Sequence, residues 1–271
     1  CGVSAFMNPY LSVIVPAYNE EARILKALSA VYHYLKQQSY PWEILVVIDG
    51  ATDQTLSVVQ QFAQGKAHIR WLHRRQNRGK GYTVREGMLA ATGTIRLFTD
   101  ADNSTDIAHL EAVLPLFAQG YDVVICSRSP QDAPGARQAI SQTWPKRVCG
   151  ILGNVFIQLV AVPGIWDTQC GFKAFSQTAA EQIFSTARIN RWGFDVEALA
   201  LARQFGWKIG ILPAHWMNDA ATNVGWASYL EVLLETLQVR WNLWRGVYHQ
   251  GGTRTQPTPV ARLVQAPSRS R

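Results

Sequence analysis

Acidic residues are in short supply in this chain. Nineteen Asp and Glu stand against twenty-six Lys and Arg, a formal net charge of +7 with an isoelectric point near 9.4. The imbalance points to an anionic partner: nucleic acid, a nucleotide diphosphate or a membrane surface. Cysteine is scarcer still. Cys1, Cys126, Cys149 and Cys170 are too few and too scattered for a disulfide framework, and no C-x-x-C pair offers a zinc site. A reducing, cytoplasmic setting is the matching expectation. No uninterrupted apolar run approaches the ~18 residues of a simple transmembrane helix. The nearest, Val148 to Ile165, is broken by Gly150, Gly153, Asn154, Gln158 and Pro163. Also missing are the G-x-x-x-x-G-K-[ST] phosphate loop, the three-glycine dinucleotide fingerprint, the G-x-S-x-G elbow and H-E-x-x-H. Four common chemistries are thereby set aside.

What the 271 residues do contain is an alternation of strand and helix patterns, enough for one large α/β domain or two small ones. Leu11 to Val15, Trp42 to Ile48, Ile69 to Leu72, Thr94 to Phe98 and Asp122 to Cys126 read as apolar strands. Amphipathic stretches separate them, the first with Ile24, Leu25, Leu28, Val31 and Leu35 on one face. Repeated βα units with near-continuous apolar strands imply a mainly parallel sheet covered on both faces. Ligands in such sheets bind at the carboxyl ends of the strands.

Polar clusters follow those ends. The fourth strand runs into Thr99-Asp100-Ala101-Asp102-Asn103-Ser104-Thr105-Asp106. Asp100 and Asp102 can share a hard divalent cation, Mg²⁺ or Mn²⁺, whose other positions go to water and phosphate oxygens. Equally, they can end the strand and cap a helix beginning near Asp106. Gly79 and Gly81 would let backbone amides approach an anion at a helix start, with Lys80 beside it; a solvated lysine in a turn is the plainer alternative. Asp49 is a candidate acceptor for a nucleobase, Asp53 a candidate helix cap, and Tyr18 and Glu20 sit where a base could stack and be recognised.

The combination of P-A-Y-N-E, I-D-G-A-T-D-Q-T, N-R-G-K-G, D-A-D and Ser127-Arg128 resembles family-2 glycosyltransferases of GT-A fold, a Rossmann-like mainly parallel sheet with helices on both faces. The later D-T-Q-C-G-F-K-A-F from Asp167 and R-W-G-F-D-V-E from Arg191 are similar to the dolichyl-phosphate β-glucosyltransferase branch and its mannosyl relatives. The resemblance spans roughly Leu11 to Tyr248, leaving residues 1–10 as an N-terminal extension and 249–271 as a basic tail expected to be disordered. It implies a hexosyltransferase moving glucose from UDP-glucose to a polyprenyl phosphate. By position it assigns Pro16, Ala17, Tyr18, Glu20 and Asp49 to the nucleoside, Lys80 and Arg128 to the diphosphate, and Asp100 and Asp102 to the metal. Asp195 is a candidate base or orienting group; Asp195 and Glu197 can also simply anchor their helix. Asp167, Gln169 and Lys173 are candidates for sugar or acceptor phosphate. The pattern departs from the family at Ile48, where a second acid is common, at Ser104, and after Trp216.

The acceptor side also has a reading from the residues. Arg137, Lys146 and Arg147 precede the broken apolar stretch and suit a phosphate headgroup. Trp226, Leu230, Leu233, Leu234, Leu237, Trp241, Trp244 and Tyr248 recur at helical spacing, as a helix lying in a membrane interface would or as one packed on the domain. Alternatives stay in view: GDP-mannose as donor, a saccharide acceptor, a non-catalytic nucleotide-sugar or membrane-binding module, and a nucleic-acid binder, the last leaving D-A-D and D-T-Q-C-G-F-K without a purpose.

Overall fold

The computed structural model describes residues 8–138, 144–216, 226–248 and 261–262, with backbone alone at 137–138, 144–149, 216, 226–227 and 261–262. Four βα steps and a fifth strand open the chain. Strand β1 (Leu11–Ala17) leads to α1 (Ile24–Leu35), β2 (Trp42–Asp49) to α2 (Thr55–Ala63), and β3 (Ile69–Arg74) to α3 (Lys80–Ala90). Strand β4 (Ile95–Thr99) leads through a 3-10 turn to α4 (Leu110–Ala118), and β5 (Val123–Ser127) follows. Then come β6 (Arg137–Gln138), α5 (Trp144–Val160), β7 (Phe172–Ser176), α6 (Gln177–Thr186), α7 (Phe194–Gln204), β8 (Ile209–Pro213), β9 (His215–Trp216), α8 (Trp226–Trp244) and β10 (Ala261–Arg262).

The main sheet has the order β10-β8-β5-β7-β4-β1-β2-β3. Every pairing in it is parallel except those of β7, which runs antiparallel between β4 and β5. Alternation along the strands divides the core into two layers. Val13, Val15, Ile44 and Val46 face one layer with Ile24, Leu28, Val31 and Leu35 of α1. Ile14, Leu45 and Val47 face the other, with Val84 and Met88 of α3 and much of α6 and α7. Complete burial of a residue such as Leu28 stabilises by roughly 2 kcal/mol, so these stripes fix which way each helix turns. At Gly87 α3 comes so close to the sheet that an added Cβ would lie 2.4 Å from Ile14 Cγ2.

Two expectations need amending. The segment expected as a structureless tail contributes β10, whose Ala261 pairs with Gly210 of β8; the remainder of that tail and residues 1–7 fall outside the described residues. Helix α8 ends at Trp244, and Tyr248, expected on its outer stripe, is buried with its hydroxyl on Glu197.

The reversed direction of β7 shapes the ligand-binding edge. Because it runs opposite to its neighbours, the segment 167–171 that enters it lies at the edge where β4 and β5 finish. Asp100 N donates to Gly171 O at 3.2 Å, which ties the acid loop to that segment.

Candidate active site

The edge formed by β1, β2, β4 and β5 is assembled from loops that hold one another. Asn19, in the left-handed region at φ 53°, accepts from Thr52 N at 2.8 Å. Glu20 N donates to Thr55 Oγ1, Glu21 N to Asp53 Oδ2, and Gln54 N to Glu21 Oε2. Asp53 also accepts from Thr55 N and Thr55 Oγ1, but it lies one residue ahead of the N-cap of α2, which is Gln54, so the capping expected of Asp53 is replaced by a turn that ties the loop to Thr55. Pro16 and Ala17 end β1 inside the core, whereas the Tyr18 ring is 48% exposed and available for stacking.

Asp49 has a different place from the one expected. It is buried, and its oxygens accept from Arg74 Nη2 and from the amides of Arg78 and Gly79 at 2.7 to 2.9 Å. Its carboxylate is spent holding the N-R-G-K-G loop. The amide cradle expected at Gly79 to Gly81 is likewise filled from within: Gly81 N donates to Arg191 O and Tyr82 N to Asn190 O. A Cβ at Gly79 would lie 2.5 Å from Asn190 O, and one at Gly81 2.6 Å from Phe194 Cβ. These glycines serve the approach of segment 189–194, which leaves the Lys80 side chain as the loop's candidate contact for an anion.

Lys80 Nζ lies 2.7 Å from Asp100 Oδ1. Burial by itself would depress the ammonium, but the charges of Asp100 and Asp195 more than offset it and hold its pKa above the ordinary value. Asp102 Oδ1 accepts from Ser104 N at 2.9 Å. Helix capping falls to Asp106, which accepts from Ala108 N, so neither Asp100 nor Asp102 is needed for it. Glu20, paired with Arg23, has its carboxyl pushed up first by burial and then by the charges of Asp102 and Asp100. Three acids thus share one field.

The acid pair fits a hard divalent cation. Both offer carboxylate oxygens, the donor type Mg²⁺ and Mn²⁺ prefer, although no group of three potential ligands forms among the described residues. Gly171 is shaped to this pair: a Cβ there would sit 1.9 Å from Asp100 Oδ2. Gly171→Ala is therefore expected to displace the Asp100 carboxylate and weaken Mn²⁺ binding by about tenfold, measured by calorimetry, with the fold retained. Unchanged affinity would remove Asp100 from the metal site.

Arg128 stands at the end of β5. Its Nε and Nη2 donate to the two oxygens of Asp167 at 2.7 and 2.8 Å, and its own amide donates to the same carboxylate. Burial would raise the Asp167 carboxyl, yet Arg128 outweighs it and holds it at about 2. Asp167, expected at the acceptor, is spent on Arg128. Asp132, which drew no attention in the sequence, is wholly buried; it accepts from Ser127 Oγ and from the amides of Trp166 and Asp167. It fixes the segment that carries Arg128's partner. Gln169 is half-buried at the same edge.

Lys173 is also corrected. It is fully buried in β7, donating to Cys170 O and Asp195 Oδ1 at 2.6 Å each, and cannot face an acceptor. Asp195, in the first turn of α7, is pushed up by burial and pulled down by Lys173 and Lys80, the net being a raised carboxyl. Glu197 accepts from the amides of Arg188 and Ile189 and from Tyr248, a structural anchor. Burial raises the Cys170 thiol to about 11, which fits a packed residue and not a nucleophile. Arg137 lies in β6 and Lys146 and Arg147 in α5, but their side chains fall outside the described residues, as do residues 217–220 after Trp216.

On the outer side of α8, Leu230, Leu234, Leu237, Trp241 and Trp244 are exposed at helical spacing, while Val232, Thr236 and Val239 face inward. Ile151, Leu152 and Leu159 of the adjacent α5 are exposed too. The helix is both packed and apolar outside. No helix among the described residues is long and apolar enough to cross a membrane.

A model of the family described as glycosyl transferase family 2 matches residues 12–184. The dolichyl-phosphate beta-glucosyltransferase of Dictyostelium discoideum is 32% identical over 251 residues, 89% of this chain and 77% of that protein. Its Homo sapiens counterpart is 31% identical over 259 residues, covering 90% and 79%. Among solved structures, glucosyl-3-phosphoglycerate synthase from Mycobacterium tuberculosis with Mn²⁺, UDP and phosphoglyceric acid superposes with a TM-score of 0.62 at 18% identity, covering 93% of this chain and 88% of that one. A Pyrobaculum calidifontis mannosyltransferase with GDP-mannose and Mn²⁺ gives 0.58 at 21% identity, covering 92% and 67%. At these identities the structural likeness speaks for the fold.

Proposed function

Because the chain belongs to glycosyl transferase family 2, we propose that it moves glucose from UDP-glucose to a dolichyl or other polyprenyl phosphate, inverting the anomeric carbon. The observation that carries this reading is the meeting of Asp100, Asp102, Lys80 and the Asp167-held Arg128 at one sheet edge, in a chain whose relatives are named dolichyl-phosphate beta-glucosyltransferases.

Each residue then has a task. Tyr18 would stack on the base and Glu20 meet the nucleoside, with Pro16 and Ala17 shaping the floor; Asp49 acts through the loop it holds. Asp100 and Asp102 would hold Mg²⁺ or Mn²⁺, which supplies Lewis-acid stabilisation of the leaving diphosphate. Lys80 and Arg128 place fixed positive charge where the departing nucleotide gathers negative charge, and fixed charge needs no reorganisation when the bond breaks. The acceptor phosphate is anionic at neutral pH. Its oxygen attacks the anomeric carbon as the bond to the diphosphate breaks, and no proton has to be removed from it, so alignment is the chief requirement. Asp195 consequently serves as an orienting group between Lys173 and Lys80, not as a base.

The acceptor is a lipid, and the exposed stripe of α8 with the apolar residues of α5 is the surface we assign to the membrane. Tryptophan favours such interfaces, and the chain's positive charge favours an anionic cytoplasmic leaflet. Arg137, Lys146 and Arg147 keep their proposed role at the acceptor phosphate. Replacing Trp241 and Trp244 together by Gln is expected to weaken sedimentation with anionic phospholipid vesicles; equal binding would place the membrane contact elsewhere.

The test of the reaction is transfer of labelled sugar into an organic phase with a short polyprenyl phosphate and Mg²⁺ or Mn²⁺, UDP-glucose beside GDP-mannose. Lipid-linked glucose is expected. Product from GDP-mannose alone would move the assignment to mannose, and no product from either would overturn the acceptor.

A further inference from the structure

Segment 188–193 lies between α8 and the Lys80 loop, and each side grips it. From α3, the amides of Gly81 and Tyr82 donate to Arg191 O and Asn190 O, and Arg85 donates to Asn190 Oδ1 and Ala187 O. Glu197 of α7 accepts from the amides of Arg188 and Ile189. From α8, Glu235 Oε2 accepts from Gly193 N at 2.6 Å, and Glu231 pairs with the Arg191 guanidinium. Lys80 Nζ lies 5.7 Å over the Trp192 ring in the middle of this segment while reaching Asp100.

This arrangement is costly to build. Gly79 and Gly81 are kept free of Cβ atoms so that the segment can approach, and Gly193 so that it can meet Glu235, whose Cβ a substituent would reach at 2.7 Å. Burial holds the Glu235 carboxyl above its ordinary value even though it accepts from Gly193. A carboxylate placed half-buried on a backbone amide, in a helix whose other face is apolar and exposed, is poorly explained by packing alone.

We propose that Glu235 and Glu231 of α8 are positioning residues for Lys80. They act through segment 188–193, which caps α3 and thereby sets where the Lys80 ammonium stands over Asp100. Helix α8 is in this way the back wall of the donor site as well as the bearer of the apolar stripe. The inference rests on the proposed donor site and extends it to residues that touch neither nucleotide nor sugar.

A double-mutant cycle on UDP-glucose binding tests it, read by calorimetry with Mn²⁺ and without acceptor. Glu235→Ala is expected to weaken binding by about tenfold, with Glu235→Gln recovering part of the loss because its carbonyl still accepts from Gly193 N. Gly193→Ala perturbs the same contact from the other side and should weaken binding similarly, which covers the case in which Glu235→Ala does not fold. In a Lys80→Ala background both losses should vanish, because the residue being positioned is gone. Equal losses in that background would show a merely structural role and overturn the proposal, as would unchanged binding in both variants. A wild-type chain that binds neither UDP-glucose nor GDP-mannose would remove the donor reading itself, and this one with it.

Discussion

Asp102→Asn is expected to lower sugar transfer by about a thousandfold, about 4 kcal/mol of barrier, while leaving the fold intact. The substitution is nearly isosteric. Asp102 is half-buried at a loop, and its one described hydrogen bond, from Ser104 N to Oδ1, survives because an amide oxygen accepts as a carboxylate does. What disappears is the negative charge that makes it a ligand for a hard cation. Thermal unfolding should therefore change little, whereas Mn²⁺-dependent nucleotide binding and turnover should fall together. Asp106→Asn is the control. Asp106 caps the 3-10 turn by accepting from Ala108 N, and Asn keeps that acceptor, so turnover should stay near wild type. Turnover retained by Asp102→Asn would take this residue out of the metal site and return it to the strand-end role that the sequence leaves open.

The contrast between Asp102 and Asp106 shows how much was legible. Strands β1 to β5 announce themselves as apolar runs, and the D-A-D at the end of β4 falls at the ligand-binding edge that the βα alternation implies. Local pattern suffices there because each of those strands has its helix partner adjacent in sequence. It does not suffice for β7. Phe172-Lys173-Ala174-Phe175-Ser176 carries a lysine in the middle of a five-residue strand, and only Asp195, twenty-two positions further on, makes that lysine buriable. Asp132 and Glu197 were hidden or ambiguous for the same reason: their partners are backbone amides brought in by the tertiary fold. The N-R-G-K-G loop misleads in the opposite direction. Its glycines look like a phosphate cradle, but the carbonyls of Asn190 and Arg191 reach the amides first. Spacing reveals a capacity for hydrogen bonding, and the distant chain decides which partner uses it.

Lys173→Met should destabilise the protein by roughly 3–5 kcal/mol at neutral pH, lowering the melting temperature by about 10 °C for a chain of this size. The reason lies in Asp195. Both side chains are buried, Lys173 completely, and their 2.6 Å contact is the compensation for taking two charges out of water. Methionine fills the space but leaves the buried Asp195 carboxylate without the cation that contacts it. Burial already holds the Asp195 carboxyl above its ordinary value with Lys173 present, and removal of the ammonium raises it further. The sign of the pH effect is then set. An acid whose folded pKa exceeds its unfolded one binds more protons in the folded chain, so stability falls as pH rises from the ordinary carboxylate range through the raised folded value. The variant's deficit should accordingly be smallest near pH ~4 and largest near pH ~7.5 in urea unfolding. An equal deficit at both would mean that lost packing, not an uncompensated carboxylate, is the cause. Adding Asp195→Asn to Lys173→Met removes the stranded charge and should recover part of the neutral-pH loss, since the two sites are in contact and their effects are not additive. Because Asp195 also contributes to holding Lys80 charged, the double variant should regain stability without regaining full turnover, separating the pair's part in the fold from its part in the site.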